Sequence, residues 1–405
     1  MLLHSNLLAT SAIVICAAYA LYAAVALWIS RGIHNRYSRR SDLPTVSIVV
    51  PARNEEDQIG TLLDSLLKVD YPAELLQIVI ANDQSTDGTR EAALEYADRF
   101  ECRFDICEVQ DEPEVKLRLK TRALCQGLDR ATGEIILMTD ADCVIPRDWV
   151  RTMVSYFTPG VGMVCGTTLP DHSGSRSKLL TSLETLDWMF LLGASAGLAG
   201  KGFPKGLIGN NFSVRRSTYN RLGTYRSIER TDPYDDLALM NAVMSVGDRV
   251  VFPADEGLQV YTKPTESIYE VARQRRRWLI GARETGWLGK GVIGFGFLVH
   301  LGLLAWPFLL GTWAILPTLL LILGNAAVIT KMLRRFRSDT PAGLALFHPS
   351  YAMIYAVLVG FILARGGHFN WKGRELIAGP SSPRISLADR ITRQILTRRV
   401  GTSTE

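Results

Sequence analysis

Three long stretches of this chain carry no Asp, Glu, Lys or Arg, and they limit how it can fold. The first, residues 7–29, has 23 residues. A helix of about 20 apolar residues crosses the hydrocarbon core of a bilayer. The basic group Arg31, Arg36, Arg39 and Arg40 follows this stretch, whereas a cleaved signal peptide begins with its basic residues. We therefore predict a retained membrane anchor and expect the residues that follow it to lie on the cytoplasmic side.

The second uncharged stretch, residues 291–330, has 40 residues and is long enough for two crossings of the bilayer. We predict a transmembrane hairpin with a turn near Pro307 and Pro317. The stretch ends in basic residues that are expected on the cytoplasmic side, namely Lys331, Arg334, Arg335 and Arg337.

The third stretch, residues 341–364, contains a His348-Pro349 pair and precedes a basic tail. A full crossing would place this tail outside, against the positive-inside rule, whereas a re-entrant or interfacial segment would keep it inside. Both arrangements remain open. The tail has apolar residues at near-helical spacing, which fits either a helix on an anionic leaflet or a solvated basic tail. These residues are Ile385, Ala388, Ile391 and Ile395.

The composition excludes several classes of protein. The chain has 405 residues, 47% hydrophobic and 21% charged, which rules out a disordered or fibrous protein. Its six cysteines include no CxxC pair, so we expect reduced thiols rather than a disulfide framework or a zinc site. The predicted organisation is a membrane anchor (1–40), a cytoplasmic domain (41–290), a C-terminal membrane region (291–365) and a basic tail (366–405).

The domain at 41–290 begins with alternating strand and helix patterns. Short β-branched runs at residues 46–50, 76–81 and 135–139 predict strands, and residues 57–67 and 89–99 predict helices. This alternation favours an α/β fold with a parallel sheet that binds ligands at the carboxyl ends of its strands. A nucleotide-binding domain is the resulting hypothesis.

Polar residues follow the first two predicted strands. Glu55, in the segment PARNEE, could accept hydrogen bonds from a ribose or a base, or could belong to a capped loop that opens a helix. Asp83, in NDQSTDGT, could pair with the N–H of a base. For Asp87 in the same segment we favour a structural role, turning the chain and capping the next helix.

The third strand ends in Thr139-Asp140-Ala141-Asp142. A spacing of two places both carboxylates on one side of an extended segment, where they can approach one divalent ion. Mg²⁺ or Mn²⁺ at this position would bridge the diphosphate of a bound nucleotide. The alternative is a solvated turn or a cap, and we favour a metal site that uses Asp140 and Asp142.

The strings VSIVVPARNEE, IANDQSTDGT and TDADC resemble the donor-binding half of the family-2 glycosyltransferases, which have a GT-A fold. Two later motifs strengthen the resemblance. Tyr234-Asp235-Asp236-Leu237 resembles the acidic acceptor-side motif of that family, and Gln274-Arg275-Arg276-Arg277-Trp278 matches its QxxRW motif. The resemblance covers about residues 44–290 and implies a Rossmann-like mixed sheet, flanked here by N- and C-terminal transmembrane helices.

The resemblance also implies roles for individual residues. Asp236 would be the general base that deprotonates the acceptor hydroxyl, with Asp235 orienting it; a helix N-cap is the alternative for both. Arginine suits diphosphate oxygens and an indole offers a stacking surface, although Arg275 and Arg276 could instead touch lipid phosphates. The expected donor contacts are Pro51, Ala52, Glu55, Asp83, Lys120, Asp140, Gln274, Arg277 and Trp278. The expected acceptor contacts are Gly209, Asn210, Asn211 and Trp278.

Two of these assignments, and one further segment, have structural alternatives. Lys120 could be a surface lysine, and the loop at 209–211 could be an ordinary turn. Residues 186–192 (LDWMFLL) could be an amphipathic element at the membrane, but we favour core. Near the C-terminus, residues 371–374 resemble a WKGR motif of bacterial membrane glycosyltransferases that act on lipids, and on the cytoplasmic side this segment would suit a phosphate or a lipid headgroup.

Together these features predict an inverting glycosyltransferase in the bacterial inner membrane, a multi-pass protein with its catalytic domain in the cytoplasm. It would use a nucleotide-sugar, with UDP expected from the family, and a hydroxyl of a membrane lipid such as a sphingolipid, carotenoid, hopanoid or polyprenyl phosphate. Nucleic acid is not an expected partner. A processive polysaccharide synthase is the main alternative, followed by a non-catalytic nucleotide-sugar-binding module; the acidic PARNEE loop argues against a sugar nucleotidyltransferase.

Overall fold

A computed structural model describes residues 2–34, 36–112, 119–227, 235–281, 286–364, 369–371 and 374–376. The chain divides into two units, Met1–Ala364 and Arg365–Glu405. The first unit contains ten described strands. In chain order they are β1 (Val46–Ala52), β2 (Leu76–Asn82), β3 (Arg103–Glu108), β4 (Ile135–Thr139), β5 (Cys143–Val144), β6 (Val161–Cys165), β7 (Thr167–Pro170), β8 (Asn211–Arg215), β9 (Arg249–Val251) and β10 (Gln259–Thr262).

Seven of the described strands form one mixed sheet in the order β3-β2-β1-β4-β8-β6-β9. Strands β3, β2, β1 and β4 are parallel, β8 runs antiparallel to both β4 and β6, and β9 is parallel to β6. The three strands predicted from sequence are the neighbours β2, β1 and β4, so the predicted parallel α/β arrangement is confirmed. Their carboxyl ends therefore meet at one edge of the sheet. A smaller sheet has the order β5-β10-β7.

Helices cover both faces of the large sheet and continue beyond it. The described α-helices are α1 (Leu2–Ser30), α2 (Glu56–Leu66), α3 (Thr89–Leu94), α4 (Leu119–Arg130), α5 (Trp149–Ser155), α6 (Lys178–Gly200), α7 (Arg216–Arg221), α8 (Thr224–Ser227), α9 (Asp235–Ser245), α10 (Ile268–Gly281), α11 (Gly286–Leu301), α12 (Trp306–Leu310), α13 (Ile315–Leu333) and α14 (His348–Ala364).

The alternation of side chains along β1 builds the two sides of the core. Ile48 and Val50 pack in one cluster with α2 residues such as Leu62, whereas Val49 packs in another with α4 residues such as Leu124. All of these side chains are at most 1% exposed. Successive residues of a strand point to opposite faces, so a strand covered by helices on both faces is mainly apolar on both. This burial holds β1 rigidly beneath the loops that follow it.

The described residues include three helical segments that are long and apolar enough to cross a membrane: Thr10–Ser30, Trp306–Leu333 and Ala342–Ile362. The first lies in the helix predicted for residues 7–29. Within residues 291–330, short 3₁₀ and α-helical segments separate α11 from α13, and the apolar helix Lys290–Leu304 is shorter than the three candidates. These short segments include Pro307 in α12, near which the turn was predicted; the transmembrane hairpin itself stays a prediction. Pro317 instead lies in the first turn of α13, where its missing N–H costs no helical hydrogen bond.

The His348-Pro349 pair begins a helix rather than interrupting one. Helix α14 starts at His348, so Pro349 occupies the first turn, where the fixed φ of proline suits a helix. The preceding residues 342–347 form a 3₁₀ helix. In the second unit, the described residues form an antiparallel pair of short strands, β11 (Phe369–Trp371) and β12 (Arg374–Leu376). Lys372 and Gly373 of the WKGR segment, and the predicted tail helix, lie outside the described residues.

Helices α1 and α6 approach each other closely through glycine. A Cβ atom on Gly197 would lie 2.4 Å from the carbonyl oxygen of Ile29, and one on Gly32 would lie 2.1 Å from that of Gly197. Neither backbone can move without shifting its whole helix, since small residues set the distance between packed helices.

We therefore expect Gly197→Ala to lower the free energy of unfolding by about 1–3 kcal/mol because the added methyl group overpacks this contact. Thermal or denaturant unfolding of the protein in lipid would measure the change. Gly360→Ala is the matched control, because a Cβ on Gly360 in α14 would contact nothing within 4 Å. Equal stability of the Gly197→Ala variant and the unmodified protein would contradict a rigid helix contact.

Candidate functional site

Lys120 connects two of the predicted motifs at the carboxyl edge of the sheet. Its Nζ lies 2.6 Å from Oδ1 of Asp140, which directly follows β4. The same Nζ donates a hydrogen bond of 2.9 Å to the carbonyl oxygen of Gly209. The alternative that Lys120 is a surface lysine is wrong, because its side chain is only 18% exposed. A single ammonium group thus holds the loop after β4 against the loop before β8.

Asp236 also lies close to Gly209. A Cβ atom on Gly209 would be 2.8 Å from Oδ2 of Asp236, so a larger residue would displace this carboxylate. Oδ1 of Asp236 accepts a hydrogen bond of 2.7 Å from the amide of Leu237. Burial raises the pKa of Asp236 and the charge of Asp140 adds to this, whereas the bond from Leu237 and the charge of Lys120 oppose it.

The structure therefore brings together residues from four separate segments of the sequence. Lys120, Asp140, Gly209 and Asp236 form what we call the edge cluster. A partly buried carboxylate of raised pKa is the kind of group that can accept a proton from a substrate hydroxyl. Asp235 begins the described part of α9, but its side chain and Tyr234 lie outside the described residues.

Asp142 stands two residues beyond Asp140. Burial raises the pKa of Asp142 to about 6, and the negative charge of Asp140 contributes in the same direction. A cavity of about 230 Å³ opens beside Asp142. It is lined by Gln58, Thr61, Asp142, Val144, Asp171, Ser173, Gly174, Arg176, Ser177, Thr262, Lys263, Pro264, Thr265 and Glu266.

The donor set at Asp140 and Asp142 fits a hard divalent ion. No group of three or more His, Cys, Asp or Glu side chains in the described part of the chain is placed to hold a metal. The protein would thus supply two carboxylates, and phosphate and water oxygens would complete the shell. Mg²⁺ is commonly held in this way, and Mn²⁺ accepts the same oxygen ligands.

The loops after β1 and β2 are tied to each other. Arg53 donates a hydrogen bond of 2.9 Å to the carbonyl oxygen of Gln84, and Oδ1 of Asn54 accepts one of 2.9 Å from the amide of Thr86. Pro51 and Ala52 are the last residues of β1, and the amide of Glu55 donates to Oγ1 of Thr89 at 2.7 Å. The predicted donor contacts Pro51, Ala52 and Glu55 therefore lie at the carboxyl edge, as expected from their position after a strand.

Asp83 and Asp87 differ in their surroundings. Asp83 is 2% exposed, and its carboxylate lies 2.6 Å from a guanidinium nitrogen of Arg122, so a base would have to replace this ion pair. Arg122 was not expected at this site. Asp87 accepts hydrogen bonds from the amides of Thr89 (3.1 Å) and Glu56 (3.3 Å). Although burial opposes it, these bonds lower the pKa of Asp87, and its predicted structural role is confirmed.

The loop before β8 does not present both of its asparagines to a ligand. Asn211 is fully buried: its Oδ1 accepts from Nε1 of Trp149 at 3.0 Å, and its Nδ2 donates to the carbonyl oxygens of Thr167 and Leu258. The prediction that Asn211 contacts an acceptor is wrong, because its amide joins three segments of the core. Asn210 is 6% exposed and accepts a hydrogen bond of 2.8 Å from Thr168.

The QxxRW segment lies on α10. Arg275 is buried and its Nε donates to Oδ2 of Asp187 at 2.8 Å. Contact of Arg275 with lipid phosphates, one of the sequence-based alternatives, is therefore wrong. Gln274 accepts a hydrogen bond from Arg275, Arg277 is partly exposed, and the ring of Trp278 lies 5.2 Å from that of Trp188.

Residues 186–192 form part of the core, as predicted, with Leu186, Asp187 and Met189 at 0% exposure. The pairing of Asp187 with Arg275 was not expected. Its only signal in the sequence was a single acidic residue inside an apolar run.

Residues 47–223 match the family Glycosyl transferase family 2. In this region, which is less than half of the chain, the protein is similar to glycosyl transferase family 2. The matched region includes Lys120, Asp140 and Gly209 of the edge cluster and ends before Asp236 and the QxxRW segment.

Several curated proteins resemble the chain. It is 27% identical over 252 residues to the probable glycosyltransferase YdaM of Bacillus subtilis, covering 59% of this chain and 56% of YdaM. It is 29% identical over 168 residues to the poly-β-1,6-N-acetyl-D-glucosamine synthase of Staphylococcus epidermidis (40% and 38%). It is 32% identical over 114 residues to the 4,4'-diaponeurosporenoate glycosyltransferase of Staphylococcus aureus (28% of each). The chain thus spans about half or less of the length of these relatives.

The fold is shared with a solved structure. The mannosyltransferase from Pyrobaculum calidifontis, solved in complex with GDP-Man and Mn²⁺, superposes with a TM-score of 0.55 at 21% identity. The superposition covers 88% of this chain and 99% of that protein. This similarity supports the GT-A type of fold expected from the resemblance.

Proposed function

We propose that this protein is an inverting glycosyltransferase that transfers a sugar from a UDP-sugar to a hydroxyl group of a membrane lipid. The observation that carries the proposal is the edge cluster. In it Asp236, a carboxylate of raised pKa, lies against Gly209, and Lys120 links Gly209 to Asp140 at the end of β4. Donor-side and base-side groups must be close together for a single transfer step.

In this proposal each group of the cluster has one task. Asp236 accepts the proton of the acceptor hydroxyl while the oxygen bonds to the anomeric carbon and the nucleoside diphosphate leaves from the opposite face. Lys120 keeps Asp140 beside the Gly209 backbone, and Asp140 and Asp142 would hold the divalent ion. When bound, Mg²⁺ or Mn²⁺ stabilises the charge on the departing diphosphate. Gln274 and Arg277 would contact the donor, and Trp278 both substrates.

A lipid acceptor is supported by the candidate membrane helices that flank the domain in the described part of the chain. It is supported also by the name of the staphylococcal diaponeurosporenoate glycosyltransferase. The second candidate, a polysaccharide synthase, is favoured by the similarity to the poly-β-1,6-N-acetyl-D-glucosamine synthase. We prefer the single transfer because a polymer needs a translocation channel, and three candidate helices in the described residues offer little material for one.

The proposal can be tested with purified protein in lipid, UDP- and GDP-sugars and Mn²⁺ or Mg²⁺. Metal-dependent release of one nucleotide together with a discrete labelled glycolipid would support it. A long polymer formed from the donor alone would support the second candidate. Absence of release from every donor, with native membrane added as an acceptor source, would favour a binding module without catalysis.

The affinity for Mn²⁺ is expected to fall about tenfold between pH 7 and pH 5. The pKa of Asp142 is about 6, and a carboxylate must lose its proton before it binds a metal, so one proton competes with the ion over this range. Calorimetry or the electron paramagnetic resonance of free Mn²⁺ in the presence of UDP would measure this change. Asp142→Asn should bind Mn²⁺ weakly at both pH values, and an affinity independent of pH in the unmodified protein would contradict the assignment of Asp142.

A further inference from the structure

The carboxylate of Asp187 on α6 is buried and has a complete set of partners. Nε of Arg275 donates to its Oδ2 at 2.8 Å, and Nε2 of His348 and the hydroxyl of Tyr355 both lie 3.1 Å from its Oδ1. The side chains of Asp187 and Arg275 are 0% and 6% exposed. A carboxylate that receives this many hydrogen bonds fixes the position of each donor.

The fixed guanidinium of Arg275 in turn contacts the ring of Trp278. Its guanidinium carbon lies 4.1 Å from the centre of the Trp278 ring and 5.9 Å from that of Trp188, and the two indoles meet edge to face. A cation over an indole face is attracted by the ring, and the attraction is stronger where water is excluded. The indole of Trp278 is therefore in contact with both a fixed cation and a buried ring. Without Asp187, the buried guanidinium of Arg275 would lose this hydrogen-bond partner, and its orientation would no longer be fixed.

His348 extends the same network to the candidate membrane helices. Nδ2 of Asn325 on α13 lies 2.9 Å from Nδ1 of His348 and 3.0 Å from Nε2 of His300 on α11. Because Tyr22 on α1 donates to Oδ1 of Asn325, the amide nitrogen of Asn325 must donate to both imidazoles.

This assignment sets the tautomer of His348. Its Nδ1 accepts from Asn325, so the proton is on Nε2, which donates to Asp187. The network is thus consistent from Tyr22 to Arg275, with each hydrogen bond running from a donor to an acceptor. Polar side chains buried between apolar helices are costly unless they are paired in this way.

We propose that Asp187 is a positioning residue for the acceptor: through Arg275 it holds the indole of Trp278 in place, and through His348 it ties this position to the candidate membrane helices. The inference rests on the proposed function, which places Trp278 in contact with the acceptor as well as the donor. It predicts that acceptor binding, rather than the chemical step, depends on Asp187.

The experiment combines kinetics with a spectroscopic signal. Protein labelled with 5-fluorotryptophan gives a ¹⁹F resonance for Trp278, identified by its loss in Trp278→Phe. We expect Asp187→Asn to shift this resonance and to raise the acceptor KM about tenfold with a much smaller change in kcat. This pattern is typical of a variant that weakens binding of the ground state and of the transition state equally. Asp70→Asn is the control, since Asp70 lies in an exposed ion pair with Arg151. It should change neither quantity.

Arg275→Lys keeps the buried positive charge beside Asp187 but removes the planar group that lies over the indole. It therefore remains informative if Asp187→Asn does not fold, and we expect it to shift the Trp278 resonance and raise the acceptor KM as well. An unshifted resonance in the variants that fold would overturn the inference, as would a fall in kcat with an unchanged KM. If the unmodified protein transfers no sugar, the proposed function fails, and the resonance still decides whether Asp187 positions Trp278.

Discussion

Asp236→Asn is expected to reduce sugar transfer about a thousandfold, within the range that general bases contribute to catalysis. An amide of the same size cannot take the proton of an acceptor hydroxyl, but it can still accept the hydrogen bond from Leu237. The contact with Gly209 should also survive, because the side-chain shape is unchanged. We therefore expect kcat to collapse while the affinity for the nucleotide-sugar stays within about twofold of the original.

Single-turnover transfer and calorimetric donor binding would measure the two parts of this prediction. Asp70→Asn is again the matched carboxylate-to-amide control, and it should leave both unchanged. Asp235→Asn should cause the smaller loss expected of an orienting residue. Full activity of the Asp236→Asn protein would remove Asp236 from the reaction.

The pH profile offers an independent check on the same carboxylate. Burial raises the pKa of Asp236 above the ordinary value of 3.8, and the group must be deprotonated to act as a base. Transfer should therefore fall as the pH drops through this raised pKa, so the acid limb of kcat/KM should lie on the neutral side of an ordinary aspartate. A limb at the ordinary aspartate position would show that Asp236 is not the base.

Removing the buried carboxylate with Asp187→Ala is expected to lower the free energy of unfolding by about 3–5 kcal/mol, because it leaves Arg275 charged and buried without its partner. The double variant Asp187→Ala with Arg275→Met should recover a large part of this loss, since it removes both charges. Unfolding in lipid, followed as a double-mutant cycle, would measure the coupling. Breaking the exposed pair of Asp70 and Arg151 should cost less than about 1 kcal/mol.

The same pair has a defined pH dependence. Burial opposes ionisation of Asp187, but Arg275 and His348 outweigh it and lower the pKa of Asp187 from 3.8 to about 2. A carboxylate with a lowered pKa in the folded state stabilises the fold fully above its unfolded pKa and loses this contribution as the pH falls through the folded pKa. The difference between the unmodified protein and Asp187→Ala should thus be constant above about pH 5 and shrink towards pH 2. A difference that stays the same at low pH would argue against an ionised Asp187.

Much of the donor half of the domain was predictable from the order of its side chains. The apolar runs at 46–50, 76–81 and 135–139 became β1, β2 and β4 with boundaries that differ by at most two residues. Each run consists mainly of β-branched or apolar residues and is followed by polar ones, which is the pattern of a strand buried on both faces. Because parallel strands end at one edge, the placement of Asp140 at that edge followed as well.

The acceptor side was less predictable because its contacts join distant segments. The loop at 209–211 was singled out from its polar sequence, but its contacts were not predictable. The carbonyl oxygen of Gly209 accepts a hydrogen bond from Lys120, 89 positions earlier, whereas the side chain of Asn211 points into the core and bonds to Trp149. Two adjacent polar residues have the same local pattern whether they face a cleft or the core. Their orientation depends on which strand they pair with, and β8 is antiparallel to the strands on both of its sides.

The contrast is clearest for Arg275. Local sequence places it on a helix next to Gln274 and Trp278, because helical periodicity and motif spacing act over a few residues. Its partner Asp187 lies 88 positions before it in the sequence. His348, which also contacts Asp187, lies 161 positions after Asp187. From the local sequence alone, an arginine beside an apolar helix could bind either a lipid phosphate or a buried carboxylate. The packing of α6, α10 and α14 selects the carboxylate, because it removes the charge from water and a buried charge must be paired.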